Sequence, residues 1–178
     1  MRSLWSRREF LRSLGVLSAT ALSGALAGCK HTGGAKRAVS ARIIQIGGAK
    51  GEPIFVPDRL KIRSGETVTW VLQSGGHTVT AYHPKNHSAY RSRIPADAEP
   101  WDSGLLTEQG VMFEWTFPQE GVYNYFCRPH ESVGMVGAIV VGRALDGPGL
   151  APPQEDLPIA ARKKLEELIA WAKSESER

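Results

Sequence analysis

From about Ala41 onward, apolar and polar side chains alternate with a period of two. Leu60 and Ile62 alternate with Arg59, Lys61 and Arg63, and Val68, Trp70 and Leu72 alternate with Thr67, Thr69 and Val71. A period of two places one set of side chains on one face of a strand, so each run predicts a strand with one buried face. Phe113, Trp115 and Phe117 alternate with Glu114 and Thr116; beyond the turn PQEG, Tyr123 and Tyr125 flank Asn124, which predicts a hairpin closed at Gly121. The run MVGAIVV, Met135 to Val141, is apolar throughout and of strand length. Short strands over about 100 residues with no convincing helix among them predict an all-β domain, a two-sheet antiparallel sandwich.

Three stretches break the pattern. Residues 82–110 are long, rich in turn formers and not periodic, and predict an excursion with at most one short element. His83 and His87 within it stand four apart, but Pro84 and Asn86 argue against the helix that would bring them together, so they read as solvent-exposed. Residues 144–157 form a glycine- and proline-rich linker, and residues 158–174 read as a C-terminal helix. Its stripe is Ala161, Leu165, Leu168, Ile169 and Ala172, which suits packing back on the sandwich; Trp171 falls off the stripe and leaves docking of a partner open.

The N-terminus reads as an address. Arg7 and Arg8, then Phe10 and Leu11, precede the apolar run LGVLSATALSGALAG, which is too short to span a bilayer comfortably. This resembles a twin-arginine export signal over residues 1–28, and LAGC resembles a bacterial lipobox with Cys29 as the lipidated residue. An uncleaved anchor is the alternative. Residues 29–41 would then be a lipidated cysteine and a flexible tether, the domain would span 42–143, and the protein would sit extracytoplasmically as a membrane-anchored lipoprotein, periplasmic or on the outer cell surface. The formal charge of the 178-residue chain is +4, and the leader carries four basic groups against one acid, so without it the chain is near neutral. That balance gives no support to nucleic-acid binding.

The candidate chemistry lies in YFCRPHESVGMVG, where Cys127, His130 and Met135 have the spacing C-x2-H-x4-M between two predicted strands. A short inter-strand loop can turn all three toward one point, and His77 in GGHTVTAY offers a fourth ligand. Thiolate, two imidazoles and a weak thioether are the ligand set of a mononuclear type 1 (blue) copper site, with the methionine axial. Structural zinc prefers four Cys or His ligands, and catalytic zinc keeps a water. A cysteine–histidine hydrolase would leave Met135 unexplained and has no evident oxyanion element, so no enzyme is expected.

The segment GVYNYFCRPHESVGMVGAIVV resembles the copper loop of plastocyanin-type cupredoxins, and FVPDRLKIRSGETVTWVLQSGGHTVTAYHP resembles the strands leading to their first histidine. The resemblance covers about residues 42–142, and the layout is closest to the halocyanin-like membrane-anchored members. It implies a Greek-key β-sandwich and one copper per chain, held by His77, Cys127, His130 and Met135. It also implies electron exchange through the exposed edge of His130. The expected function is one-electron transfer by a monomer between a membrane respiratory or photosynthetic complex and a partner such as a cytochrome or oxidase. A copper carrier or storage lipoprotein with the same ligands is the alternative. Two departures stand out: Phe126 replaces the tyrosine these proteins often carry before the cysteine, and Thr78 replaces the usual asparagine after the first histidine.

Overall fold

A computed structural model describes residues 42–143 and 146–176. The expected N-terminal signal, Cys29 and the expected tether lie outside the described residues. Eight strands follow in order: β1 Arg42–Ile46, β2 Phe55–Val56, β3 Arg59–Ile62, β4 Glu66–Leu72, β5 Thr80–Ala81, β6 Met112–Phe117, β7 Gly121–Phe126 and β8 Val136–Val141. Among the described residues the one α-helix is α1, Ile159–Ser176, which follows the strands.

The strands form two four-stranded sheets, ordered β2-β1-β4-β6 and β3-β8-β7-β5. The sandwich and the C-terminal helix are those the sequence pattern predicts, but the pairing of strands differs. β1 runs parallel to β4, and β3 runs parallel to β8, so both sheets are mixed rather than wholly antiparallel. The reason is connectivity: between β1 and β4 the chain crosses to the other sheet to lay down β3, then returns beside β1 in the same direction.

The alternation of β4 is obeyed, with Val68, Trp70 and Leu72 fully buried. Trp70 sits at the centre of the core, its ring 5.5 Å from Tyr125, 5.9 Å from Phe113 and 6.3 Å from both Phe117 and Trp101. The predicted hairpin at Gly121 is not one. β6 pairs with β4 and β7 with β8 and β5, so the turn after Phe117 carries the chain from one sheet to the other. Phe117 and Tyr123 consequently meet edge to face across the sandwich, 5.0 Å apart. Gly121 is required by a close approach, since a Cβ there would lie 2.5 Å from Pro95 Cγ, with φ at +143°.

The excursion after Tyr82 holds no helix or paired strand beyond isolated bridges, yet it is bound tightly to the sandwich. It contributes Ile94 and Trp101 to the core. Asn86 Nδ2 donates to the carbonyls of Ala81 and Trp101, both at 2.9 Å. Arg93 is buried, not a surface charge, and donates to Asn124 Oδ1 (2.9 Å) and to the carbonyls of Gly149, Ala151 and Pro152. These bonds fasten the linker to β7. Burial without a carboxylate partner brings its guanidinium down to about 10.

α1 packs its stripe Ala161, Leu165, Leu168, Ile169 and Ala172 inward, and Leu165 and Leu168 meet Phe126, Val136 and Ala138. This explains why every residue of β8, and Val122 to Phe126 of β7, is buried: one face meets the opposite sheet and the other meets the helix. Trp171, which falls off the stripe, is also engaged, packing beside Val122 and Val140 with the Arg59 guanidinium 5.9 Å from its ring centroid. The helix therefore packs back on the sandwich.

Candidate metal centre

The centre is built at one end of the sandwich from two segments. The first brings His77 out of the Gly75–Gly76 turn and fixes it by a two-residue bridge, in which the N–H of His77 donates to the Leu106 carbonyl and the N–H of Leu106 donates back. Close packing demands glycine here: Gly75 has φ of +77°, and a Cβ on it would lie 2.7 Å from His77 Nε2. The second segment is the connection from β7 to β8, a 3₁₀ turn over Arg128–Val133 ended by Gly134 in the left-handed region at φ +85°.

Backbone bonds close this turn on itself. The N–H of Cys127 donates to the Met135 carbonyl at 3.0 Å, that of His130 to Cys127 at 3.0 Å, and that of Met135 to His130 at 3.1 Å. Three predicted ligand residues are thus tied together by their own main chain. Cys127 Sγ lies 3.5 Å from His77 Nδ1 and 3.4 Å from His130 Nδ1, and the three donor atoms all fall within 4.8 Å of one another. Both imidazoles present the same nitrogen to the sulfur, and their rings are 4.6 Å apart. Met135 is buried in the core beside Cys127.

Exposure divides the centre. Cys127 and His77 are buried, whereas His130 is half-buried. Burial pushes the Cys127 thiol up, and the N–H groups of Thr78 and His130 pull it the other way. Burial, with His130 close by, lowers His77, and the Ser74 backbone opposes this. His77 Nε2 is buried without a hydrogen bond of good geometry. A soft sulfur and two imidazoles converging on one point fit copper.

Thr78 serves two partners at once. Its N–H donates to Cys127 Sγ at 3.3 Å, and its hydroxyl accepts from the Arg128 N–H at 2.9 Å, so the segment carrying His77 is stitched to the loop carrying the other donors. Phe126 is buried, its ring stacked 4.4 Å from Tyr82, and presents no surface for a partner. His83 and His87 do not join the centre: His83 Nδ1 accepts from the Lys85 N–H, and the exposed His87 stacks on Tyr90 at 4.0 Å. Among the described residues Cys127 is a free thiol. Two residues escaped sequence reasoning, Glu131 and Tyr82. Both are buried beside the ligand turn, and Tyr82 Oη donates to Glu131 Oε1 at 2.6 Å. Nothing local in the sequence marks a pair separated by 49 positions.

Comparison with known proteins agrees with this geometry. The profile described as "Copper binding proteins, plastocyanin/azurin family" matches residues 43–142. A chloroplastic plastocyanin of Hordeum vulgare is 30% identical over 152 residues, covering 79% of this chain and 87% of its own. The plastocyanin of Scenedesmus fuscus is 34% identical over 101 residues, covering 55% of this chain and 96% of its own. Among solved structures, a Sinorhizobium pseudoazurin superposes with a TM-score of 0.55 at 25% identity, covering 74% of this chain and 95% of its own. The pseudoazurin of Hyphomicrobium denitrificans, at 22% identity, shares the fold with a TM-score of 0.57 over 74% of this chain and 98% of its own. A matched profile over more than half the chain, a sandwich of the same fold and a converging Cys-His-His cluster together place this chain in the plastocyanin/azurin family of copper-binding proteins, the plastocyanin-type cupredoxins.

Proposed function

We propose that the chain is a type 1 copper protein that carries single electrons between a membrane-associated redox complex and an extracytoplasmic partner, with His77, Cys127, His130 and Met135 as ligands. The observation that carries the reading is the convergence of a buried thiol and two Nδ1 atoms within 4.8 Å, on a turn closed by its own backbone bonds. Copper held there supplies a Cu(II)/Cu(I) couple whose thiolate and imidazole ligands serve both oxidation states.

The protein's own part is to hold the donors still and dry. The Cys127–Met135 and His130–Met135 backbone bonds, with Thr78 bridging the two segments, leave little room for the donor set to rearrange when charge changes. Electrons would pass by way of His130, because it is the half-buried member of the trio while Cys127 and His77 are buried. A fixed donor set favours electron transfer over a carrier that must open to release its metal. Voltammetry of the copper-loaded chain, together with transfer to a chelator, separates the two. A reversible one-electron wave with slow metal loss supports the redox reading; rapid exchange without a reversible wave supports the carrier.

Arg7, Arg8 and the LAGC sequence support export and lipid attachment at Cys29. In that arrangement the tether confines a monomeric domain to a layer beside the membrane, where its redox partners are embedded or bound.

A further inference from the structure

Among the described residues Glu131 is the one buried carboxylate, 6% exposed, and it forms no ion pair. A carboxylate in such a place is costly unless its oxygens are satisfied by hydrogen bonds. Each oxygen of Glu131 has its own donor: the Tyr82 hydroxyl on Oε1 at 2.6 Å, and the Tyr90 hydroxyl on Oε2. Two bonds on separate oxygens fix both the position and the rotation of the carboxyl group.

The two tyrosines are themselves held by the sandwich. Tyr82 is buried with its ring stacked 4.4 Å from Phe126, its N–H donates to the Asn124 carbonyl of β7, and its own carbonyl accepts from Arg93. The Tyr90 ring lies 5.5 Å from both Tyr82 and Phe126 and stacks against His87. On the other side, the main chain of Glu131 belongs to the ligand turn. It follows His130 directly, and its carbonyl accepts from the N–H of Gly134, the residue before Met135. α1 backs the same turn, for a Cβ on Gly134 would come within 3.2 Å of the Ala160 carbonyl.

We propose that Glu131, gripped by Tyr82 and Tyr90, is a positioning residue for His130, fixing the turn so that the His130 ring keeps its direction toward Cys127 Sγ whether or not metal is bound. The role assigned to His130 rests on the copper-site reading above. Simple packing would be served by an apolar side chain. Two directed bonds from tyrosines eight positions apart instead resist rotation of the turn about its own axis, the motion that would swing His130 outward.

The test uses Y82F, Y90F, the Y82F/Y90F double variant and E131Q in the full chain. None alters a proposed ligand, and Tyr→Phe keeps the ring packing. Two readouts apply: NMR relaxation of the His130 ring and of residues 128–134 in metal-free protein, and Cu(I) affinity by chelator competition with the Cu(II) EPR spectrum. In the double variant His130 gains exchange broadening absent from the parent, copper affinity falls about tenfold or more, and the EPR copper hyperfine coupling changes. The single variants and E131Q, which keeps one carbonyl acceptor, fall between.

A double variant that melts at lower temperature but keeps parental His130 order, affinity or EPR spectrum overturns the proposal, because its effect is then on stability alone. So does a change in E131Q with none in the tyrosine variants, which would assign the effect to charge. The metal-free measurement does not need copper. A parent that binds no copper would therefore defeat the copper-site reading while His130 order still judges the clamp.

Discussion

At the residue scale, the strongest constraints fall on atoms around the sulfur. Cys127 accepts the Thr78 N–H and faces both imidazoles, so no other side chain can take its place. Cys127→Ser should abolish any visible charge-transfer band, whereas Met135→Gln should keep the colour and shift the reduction potential, because the axial ligand tunes the site without making its chromophore. Absorption and voltammetry of the two variants check this; a coloured Cys127→Ser protein would contradict it. Gly75→Ala makes a different demand, since its Cβ would fall 2.7 Å from His77 Nε2 in a left-handed backbone. It should displace His77 and lower copper affinity about tenfold or more, measured by chelator competition. The four proposed ligands were legible from type and spacing, and the structure brings three donor atoms together with Met135 buried alongside. Glu131 was not legible, because a glutamate in a polar loop looks solvated until two tyrosines 41 and 49 positions away arrive beside it. The burial of Arg93 was not legible either: besides Asn124 Oδ1, its partners are backbone carbonyls, which leave no trace in side-chain patterns.

At the element scale, the strands with one buried face were readable and the pairing between them was not. Inward alternation of Phe113, Trp115, Phe117 and of Tyr123, Tyr125 looks alike for a hairpin and for a crossover between facing sheets. α1 was readable as a stripe, but Trp171 joined the interface because the cationic Arg59 offered its ring a polar neighbour. Leu168 is fully buried between α1 and β8, so Leu168→Ala should cost about 2–5 kcal/mol in denaturant unfolding. A cost under about 1 kcal/mol would mean the helix is loosely held. The helix is also held by Lys164, which pairs with Asp58 just before β3. Burial raises the Asp58 carboxyl, but hydrogen bonds and charge from Arg59 and Lys164 outweigh it and hold it below its ordinary 3.8. A depressed carboxylate stabilises the fold above its unfolded value, and that contribution disappears as pH falls through the folded value. The stability advantage of the parent over Asp58→Asn should therefore be constant near neutrality and shrink below about pH 4, as followed by thermal melts. An advantage unchanged down to pH 3 would contradict the pairing.

At the scale of the whole molecule, the domain and its proposed address make separate claims. All four proposed copper ligands lie in the described domain, while the proposed membrane attachment rests on Arg7, Arg8 and Cys29, which lie outside the described residues. Cys29→Ser in the expressing cell should leave a chain without acyl groups that redistributes from the membrane to the soluble fraction, by mass spectrometry and fractionation. Retention of an unprocessed chain at the membrane would favour an uncleaved anchor. The central claim is that the sulfur of Cys127 and the imidazoles of His77 and His130 form one copper site. The visible absorption spectrum of the chain titrated with Cu(II) tests it most directly. The account predicts an intense band near about 600 nm that saturates at one copper per chain; copper bound without colour, or no copper bound, would contradict it.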